Sequence, residues 1–505
     1  MSNLLEKASI ILTPTAYDNG KVLCVKPTDG SGDFDFSRNS AATRVNAQGL
    51  VENVQILSSN LVTNGDFSDG STDWTLDTGW SIGDNKMTGN SASGDSYQDL
   101  NLSGGEKTFK ITFDCIVNSG QFAVRFINKQ WVSASGTYTI YETTTSSRLF
   151  VDGRASQLFS GSVTNISVVE ITTDTNLPRI NYEGGCGSWL FEPQSTNLVF
   201  QSNTLTAISG GVVTPNAAIS PDGTTNAIKV NFSTGVNSGG TISIGGSSAT
   251  PSTEYTISFY AKNFSGDGTF RLRLDTDTQA TLVNEDFTAT SDWVRYTHTF
   301  TTDAAASSFG SSSRFRNDTD NNEVLFFGMQ LEQQSYATSY IPTSGSTVTR
   351  NQDLCTNGGS LASINSSEGV LYFEGSGLVN GGQHRVVSLS DGTNDNLIYI
   401  RVDSTANRFT SFARGSSGSY NIITANGINQ TNNNKVALVW DATNFRIWIN
   451  GTESATATIN NLPIAMNTLD FTSPTGSNLF FGNTKCVAVW KEALTDAELT
   501  SLTTI

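Results

Sequence analysis

Apolar and polar residues alternate one by one in many short segments of the 505-residue chain, such as 108–113 (TFKITF) and 269–274 (TFRLRL). Strict alternation places every second side chain on one face of a β-strand, so these segments are predicted to be half-buried strands. A helical pattern longer than about two turns occurs only in the last dozen residues, where Thr495 and Glu498 have the spacing of a capping box. The pattern therefore predicts an all-β protein.

A long repeat organises the first two thirds of the chain. The matched segments keep the same order in both copies: 60–62 and 197–199, 108–113 and 254–259, 121–126 and 269–274, and 166–171 and 324–332. Short strands separated by turn signals, in a unit of about 120 to 150 residues, are typical of an antiparallel two-sheet sandwich. These segments resemble the jelly-roll carbohydrate-binding modules of glycosidases and phage tail proteins. The resemblance implies two such domains, at residues 58–174 and 197–343.

The last third follows a Ser-Gly-Ser-Thr linker and predicts a different sandwich at residues 344–505. Strands 435–440 and 445–451 are separated by a four-residue turn sequence and form a predicted hairpin. The segments KVALVWDATNFRIWINGT and VAVWKEALTDAELTSL resemble the concanavalin A-like, laminin G-like fold. The fold prediction is thus tandem antiparallel β-sandwiches, two jelly rolls and one concanavalin A-like sandwich.

Several segments between the sandwiches resemble motifs of bacteriophage tail and fibre proteins. They are 36–52 (FSRNSAATRVNAQGLVE), 177–182 (LPRINY), 189–198 (WLFEPQSTNL), 337–343 (ATSYIPT) and 348–350 (VTR). The resemblance implies a fibre-type virion protein, synthesised in the bacterial cytoplasm, with other virion proteins as partners and a homotrimeric assembly. We interpret residues 1–57 and 175–196 as one N-terminal virion-attachment unit that the first sandwich splits.

The resemblance leaves more than one function open. The favoured interpretation is attachment to host cell-surface carbohydrate, and we expect residues 344–505 to lie at the distal end and to carry the receptor contact. Loops 415–420 and 426–433 would then form the tip, because loops tolerate the sequence change that a new host demands. A head decoration or adaptor protein with purely structural sandwiches is the alternative, and a polysaccharide depolymerase is a third possibility.

Composition and charge exclude several classes of function. The net charge of −17 would repel phosphate backbones, so nucleic acid is not an expected partner. No apolar run approaches the ~20 residues of a membrane helix, and the N-terminus lacks a cationic leader, so neither membrane insertion nor a signal peptide is expected. The five cysteines are scattered singly, which predicts neither a zinc site nor a disulfide scaffold.

Candidate chemistry is sparse. The two histidines, His298 and His384, each lie inside a predicted strand, and no catalytic residues are assigned. Asp318, Asp320 and Asn322 offer oxygen ligands at alternate positions, as calcium loops do, but the full calcium-loop pattern is missing. No cofactor is expected apart from this possible structural calcium, and solvated turns remain the other interpretation.

Aromatic side chains are the candidates for sugar binding. Four tryptophans could stack on sugar rings, although burial is the favoured interpretation because large aromatic side chains are usually mostly buried: Trp74, Trp80, Trp131 and Trp293. Trp440, Trp448 and Trp490 alternate with apolar neighbours and are predicted to lie in the core of the last sandwich.

Overall fold

The computed structural model describes residues 2–102, 104–208, 210–232, 238–317, 322–416, 420–459 and 461–505. The N-terminal part contains α1 (Ser2–Lys7), β1 (Ile10–Leu12), β2 (Tyr17–Asp18), β3 (Lys21–Val22), β4 (Phe34–Ser37), β5 (Thr43–Val45), β6 (Val51–Asn53) and β7 (Ile56–Leu57). The first repeat contains β8 (Trp80–Gly83), β9 (Lys86–Ala92), β10 (Asp95–Asp99), β11 (Lys107–Ser119), β12 (Phe122–Arg125), β13 (Gly136–Thr144), β14 (Arg148–Gly153) and β15 (Phe159–Thr173).

The remaining elements follow in three groups. A connecting segment contains β16 (Ile180–Asn181), β17 (Ser188–Phe191) and β18 (Ser195–Asn197). The second repeat contains β19 (Leu205–Ile208), β20 (Val212–Thr214), β21 (Ile228–Phe232), β22 (Ser238–Ile242), β23 (Glu254–Ser265), β24 (Thr269–Asp275), β25 (Thr281–Thr288), β26 (Val294–Thr301), β27 (Arg314–Asn317) and β28 (Asn322–Glu332). The last part contains β29 (Val348–Arg350), β30 (Leu354–Thr356), β31 (Gly369–Gly377), β32 (Arg385–Ser390), β33 (Leu397–Val402), β34 (Arg408–Arg414), β35 (Tyr420–Asn426), β36 (Asn434–Trp440), β37 (Asn444–Ile449), β38 (Thr452–Thr458), β39 (Thr468–Asp470), β40 (Gly482–Trp490) and α2 (Asp496–Thr503).

The predicted all-β class is confirmed. Within the described residues, antiparallel strands dominate and the two helices are six and eight residues long. Thr495 and Glu498 form the predicted capping box at the start of α2, with each side chain bonded to the other residue's backbone N–H. Neither of these helices is long and apolar enough to cross a bilayer.

The two repeats share one sandwich topology. In the first, the sheet β13-β11-β15-β9-β8 packs on the sheet β10-β14-β12, and in the second, β26-β23-β28-β21-β20 packs on β19-β22-β27-β24-β25. Eight strands correspond one to one in chain order, while β19 and β25 extend one sheet of the second copy. The predicted repeat is therefore confirmed in strand order.

The repeat extends to individual hydrogen bonds and bulges. The side-chain oxygen of Asn60 accepts hydrogen bonds from the N–H groups of Val62 and Val168, at 3.2 and 3.0 Å. In the second copy Asn197 accepts from Val199 and Leu331, both at 3.1 Å. The closing strand of each copy is also bulged, and the bulge contains a residue with positive φ, Asn165 at 53° and Gly328 at 65°.

The C-terminal sandwich is built from two larger sheets. One has the order β16-β17-β40-β31-β36-β37-β38, with β1 also on β40, and it faces the sheet β35-β34-β33-β32-β39. Apolar side chains from both sheets fill the space between them, and Trp440 lies there with no exposed surface. On the outer face of the first sheet, Leu499 and Leu502 of α2 pack near Trp490. Both faces of the first sheet are therefore covered, the inner face by the second sheet and part of the outer face by α2.

The two halves of the interpreted N-terminal unit, residues 1–57 and 175–196, do meet, since the Val45 N–H donates to the Asn181 side-chain oxygen at 2.8 Å, but they are not a unit separate from the C-terminal sandwich. Strand β1 pairs with β40, so that Ile10 lies opposite Val489, and β17 extends the same sheet. Ile10, Phe34 and Trp189 are part of the core of the C-terminal sandwich. The physical reason is the small size of these strands, which have two to four residues each and cannot bury a core of their own.

This arrangement also removes the argument for a distal C-terminal domain. Because the first strands of the chain belong to the sheet of the last domain, residues 1–57 and 344–505 do not mark opposite ends of the molecule. The first sandwich does not project freely either, since the Thr225 N–H of the second sandwich donates to the Thr137 carbonyl at 2.8 Å. Of the predicted tip loop 415–420, positions 417–419 lie outside the described residues.

Candidate functional site

Five charged side chains from distant parts of the chain meet where the domains join. We call this set the buried junction: Arg38, Arg179, Glu192, Arg350 and Asp353. Glu192 accepts hydrogen bonds from Arg179 and Arg350, each at 2.6 Å, and Arg38 contacts Asp353 at 3.1 Å. Arg179 also pairs with Asp353. None of these side chains is more than 3% exposed.

The Glu192 carboxylate of the buried junction stays ionised because arginine side chains are paired with it. Burial alone would raise the pKa of Glu192, but the Arg350 and Arg179 guanidinium groups outweigh it and lower the pKa to about 2. A third buried carboxylate, Glu332, accepts from the Ser195 hydroxyl at 2.6 Å and from the Thr338 N–H at 3.0 Å. Removal of one partner from such a network leaves a buried charge uncompensated.

A cleft opens beside the buried junction, on the outer face of the second sandwich. We call it the Trp293 cleft, and it has a volume of about 810 Å³. Its walls are residues 45–51, 182–185 and 219–221 together with Tyr260, Lys262, Trp293 and Arg295. Three aromatic rings, Tyr182, Tyr260 and Trp293, therefore line one cavity together with two basic side chains.

Neighbouring strands hold the polar and aromatic groups of the cleft in place. Tyr260 on β23 lies opposite Arg295 on β26, and the guanidinium carbon lies 5.6 Å from the centre of the Tyr260 ring. Arg295 also donates to the Ser258 hydroxyl at 3.0 Å and to the Thr338 carbonyl at 2.7 Å. The indole N–H of Trp293 donates to the Ile219 carbonyl at 3.1 Å. Hydrogen bonds within the protein thus hold the Trp293 ring and the Arg295 guanidinium in place.

The opposite rim of the cleft is the hairpin of β5 and β6. The Asn46 side chain accepts hydrogen bonds from the N–H groups of Gln48 and Leu50, both at 3.0 Å, which fixes the turn. The Val51 N–H donates to the Pro221 carbonyl at 2.9 Å and ties the hairpin to the second sandwich. Burial raises the pKa of Tyr260, so its hydroxyl stays protonated as a hydrogen-bond donor. The cleft is largely preformed.

The four candidate tryptophans have different positions. Trp74 and Trp80 are 6% and 7% exposed in the core of the first sandwich, and their indole N–H groups donate to backbone carbonyls. They offer no exposed ring face and are withdrawn as sugar-binding candidates. Trp131 is half-buried on the first sandwich, near Lys129 and Arg154, whose charged groups lie 5.4 and 5.3 Å from its ring. Trp293 lines the cleft.

The calcium candidates are described only in part. Asp318 and Asp320 lie outside the described residues, whereas Asn322 is buried. Its side-chain oxygen accepts from the Gly268 N–H at 3.1 Å, and its amide nitrogen donates to the Thr269 carbonyl. Elsewhere in the described chain, no group of three or more His, Cys, Asp or Glu side chains could hold a metal. The calcium site stays a prediction.

The histidines lie apart from each other and from the Trp293 cleft walls. His298 is half-buried on β26, with its ring 6.5 Å from that of Phe300. The Nδ1 atom of His384 accepts a hydrogen bond from the Ser404 N–H at 3.1 Å, which leaves that nitrogen occupied. Burial lowers the pKa of His384.

Two family models match parts of the chain. Residues 181–311 match the model described as a carbohydrate binding domain, and residues 378–500 match the model of the concanavalin A-like lectin/glucanases superfamily. The first match contains the Tyr182, Tyr260 and Trp293 rings of the cleft. A comparison with curated protein sequences gave no match.

Parts of the chain are similar to several solved structures. The carbohydrate-binding module CBM40 of the Ruminococcus gnavus IT-sialidase, bound to α2,3-sialyllactose, is 18% identical over 28% of this chain and 84% of its own, with a TM-score of 0.25. The leech intramolecular trans-sialidase is 18% identical over 28% of this chain and 24% of its own, with a TM-score of 0.24. The botulinum neurotoxin serotype D binding domain is 10% identical over 30% and 39%, with a TM-score of 0.25. The two family models show that the chain contains a carbohydrate-binding module and a concanavalin A-like domain.

Proposed function

We propose that this protein binds carbohydrate and that the Trp293 cleft is its binding site. The observation that carries the proposal is the convergence of Tyr182, Tyr260 and Trp293 with Lys262 and Arg295 around one cavity. Aromatic faces stack on the C–H groups of sugar rings, while a few fixed donors bind the hydroxyls and set orientation. The match of residues 181–311 to a carbohydrate binding domain supports the same conclusion.

We further infer that the protein is a fibre-type component of a bacteriophage virion, assembled as a homotrimer with other virion proteins. The sequence segments that resemble phage proteins supply Arg38, Arg179, Glu192 and Arg350 to the buried junction, so these segments meet at one place in the fold, which supports this inference. A weak glycan site on each of many copies gains strength by avidity. Attachment to host surface glycans is the role that fits such a particle.

A purely structural role is the second candidate. The buried junction fixes the second sandwich to the C-terminal sandwich, as a rigid spacer or decoration protein requires. We propose no catalytic activity, since the cleft offers binding groups and the lone pair of the His384 Nδ1 atom is already used.

A glycan array with the purified full-length chain tests the proposed function. We expect the wild-type protein to bind at least one class of glycan, and the Trp293→Ala variant to lose that signal. Trp131→Ala is the comparison variant, because Trp131 is the other tryptophan that remains a candidate, is half-buried on the first sandwich and lies outside the cleft. Loss of the signal in Trp131→Ala alone would move the site to the first sandwich. Absence of binding to arrays and to whole host cells would contradict carbohydrate binding and favour the spacer.

A further inference from the structure

A second cavity lies between the second sandwich and the C-terminal sandwich, away from the Trp293 cleft. We call it the Tyr336 cavity, and it has a volume of about 660 Å³. Its walls include Gln334, Tyr336, Gln383, His384, Arg385 and Phe481. It shares no wall residue with the Trp293 cleft.

The composition of these walls differs from that of the chain as a whole. The sequence has 46 acidic and 29 basic residues, yet the described wall residues include Arg385 and His384 and no Asp or Glu. Side-chain amides are abundant, from four glutamines and one asparagine, and Tyr336 and Phe481 add aromatic surface. An acid-free wall with a fixed cation favours an anionic ligand, because anions are attracted and cations are not.

Arg385 differs from the arginines of the buried junction. It is only 3% exposed, but its guanidinium contacts neutral acceptors: the Val379 and Gly381 carbonyls at 3.0 and 2.8 Å and the Gln430 side-chain oxygen at 3.2 Å. No carboxylate within the described residues forms an ion pair with it. A buried charge held only by neutral dipoles keeps an unbalanced positive potential.

The side chains of His384 and Tyr336 can donate hydrogen bonds into the cavity. Because the Nδ1 atom of His384 accepts from Ser404, the hydrogen of the neutral ring lies on Nε2. The Tyr336 hydroxyl makes no hydrogen bond within the described residues, and burial raises the pKa of this phenol, so it keeps its proton. An acid does lie just outside the wall: Asp403 is 3.9 Å from the Nδ1 atom of His384, but it is paired with Arg401 and Arg408 at 3.0 and 2.6 Å. Glu192 and Glu332 are likewise occupied in and beside the buried junction.

We propose that the Tyr336 cavity binds a carboxylate-bearing sugar, such as a uronic acid residue of a glycan. The positive potential of Arg385 attracts the carboxylate, and Tyr336 and His384 supply donors. The amide side chains match the sugar hydroxyls, and Tyr336 and Phe481 offer ring faces. This inference does not depend on the Trp293 cleft, which is a separate cavity with separate walls.

The test compares two ligands that differ in one group. Methyl glucuronide carries a carboxylate where methyl glucoside carries a hydroxymethyl group, and both are titrated against the full-length chain by ligand-observed saturation-transfer NMR. We expect the glucuronide to bind about tenfold more tightly, as one charge-assisted interaction allows. Acetate, which has the charge without the ring, should bind at least about tenfold more weakly than the glucuronide.

Single-residue variants test whether the glucuronide binds in the Tyr336 cavity. Gln383→Glu places a carboxylate on an exposed wall position and should weaken glucuronide binding about tenfold by like-charge repulsion. Gln157→Glu makes the same charge change on an exposed loop of the first sandwich and should leave it unchanged. Equal binding of glucoside and glucuronide, no binding of either, or acetate binding as tightly as the glucuronide would overturn the proposal. Glucuronide binding that survives Gln383→Glu but falls in Trp293→Ala would place the ligand in the other cleft and also overturn it.

Discussion

Arg350 donates a hydrogen bond to Glu192 at 2.6 Å, although 158 positions separate the two residues in the sequence. Glu192 precedes the second sandwich and Arg350 follows it, so this pair closes the whole domain at its base. Strands β18 and β29 run side by side at the same place, where Ser195 lies opposite Arg350. The second sandwich, and with it the Trp293 cleft, is thereby fixed relative to the C-terminal sandwich.

The first prediction concerns the stability that this pairing confers. Glu192→Ala leaves the Arg179 and Arg350 charges buried without their shared partner, and we expect a loss of about 3 to 5 kcal/mol in the free energy of unfolding. The control is Asp286→Ala, which removes an exposed carboxylate from Arg271 and should cost no more than about 1 kcal/mol. Urea unfolding at neutral pH measures both. Equal losses in the two variants would contradict the role of the buried junction.

A second prediction is the response of the same site to acid. The pKa of Glu192 is lowered to about 2 from its ordinary 4.5, so the folded protein binds this proton more weakly than the unfolded chain does. The stability contributed by Glu192 is therefore complete above about pH 4.5 and is lost as the pH falls from 4.5 toward 2. Linkage puts this contribution on the order of 3 kcal/mol.

The pH dependence is checked by urea unfolding between pH 7 and pH 3, with Glu192→Gln for comparison. The variant cannot titrate at position 192, so its stability should fall less steeply than that of the wild type in the acid range. Parallel slopes in the two proteins would show that Glu192 does not supply the acid-sensitive stability.

A third prediction compares two equivalent asparagines, one in each copy of the repeat. Asn60 and Asn197 accept equivalent pairs of backbone hydrogen bonds, but Asn197 is fully buried and also donates to the Met329 and Ile341 carbonyls, whereas Asn60 is exposed. We expect Asn197→Ala to lower the free energy of unfolding by about 2 to 3 kcal/mol and Asn60→Ala by about 1 kcal/mol. The backbone groups that Asn197 bonds are buried and would be left without a partner, whereas water can replace the exposed Asn60 side chain. Thermal and urea unfolding compare them. A larger loss for Asn60→Ala would contradict this account of the repeat.

Local patterns in the sequence predicted most of the architecture. Alternation within six-residue segments such as 108–113 and 254–259 identifies strands, and their order in two copies identifies the shared sandwich. The assignment of residues 1–57 to a separate unit failed because pairing between β1 and β40 joins the two ends of the chain, and no local pattern encodes so distant a partner.

The site was only partly predictable for the same reason. Trp293, Trp74 and Trp80 were all named as sugar-binding candidates because nothing local in the sequence separates an exposed tryptophan from a buried one, and the core of the first sandwich buries Trp74 and Trp80. Tyr260 and Arg295 were missed, since they become neighbours only through the pairing of β23 with β26. One signal was present: segment 177–182, singled out as a phage-like motif, contains Tyr182 of the cleft.

The most direct test of carbohydrate binding in the Trp293 cleft is a calorimetric titration of the strongest array ligand into three proteins. Loss of a stacking aromatic should weaken binding by about tenfold or more, so we predict that Kd rises by that factor in Trp293→Ala. Trp131→Ala should retain the wild-type Kd within about twofold, with the Tm of both variants measured to confirm that they are folded. A wild-type Kd in Trp293→Ala, together with weakened binding in Trp131→Ala, would contradict the assignment of the cleft.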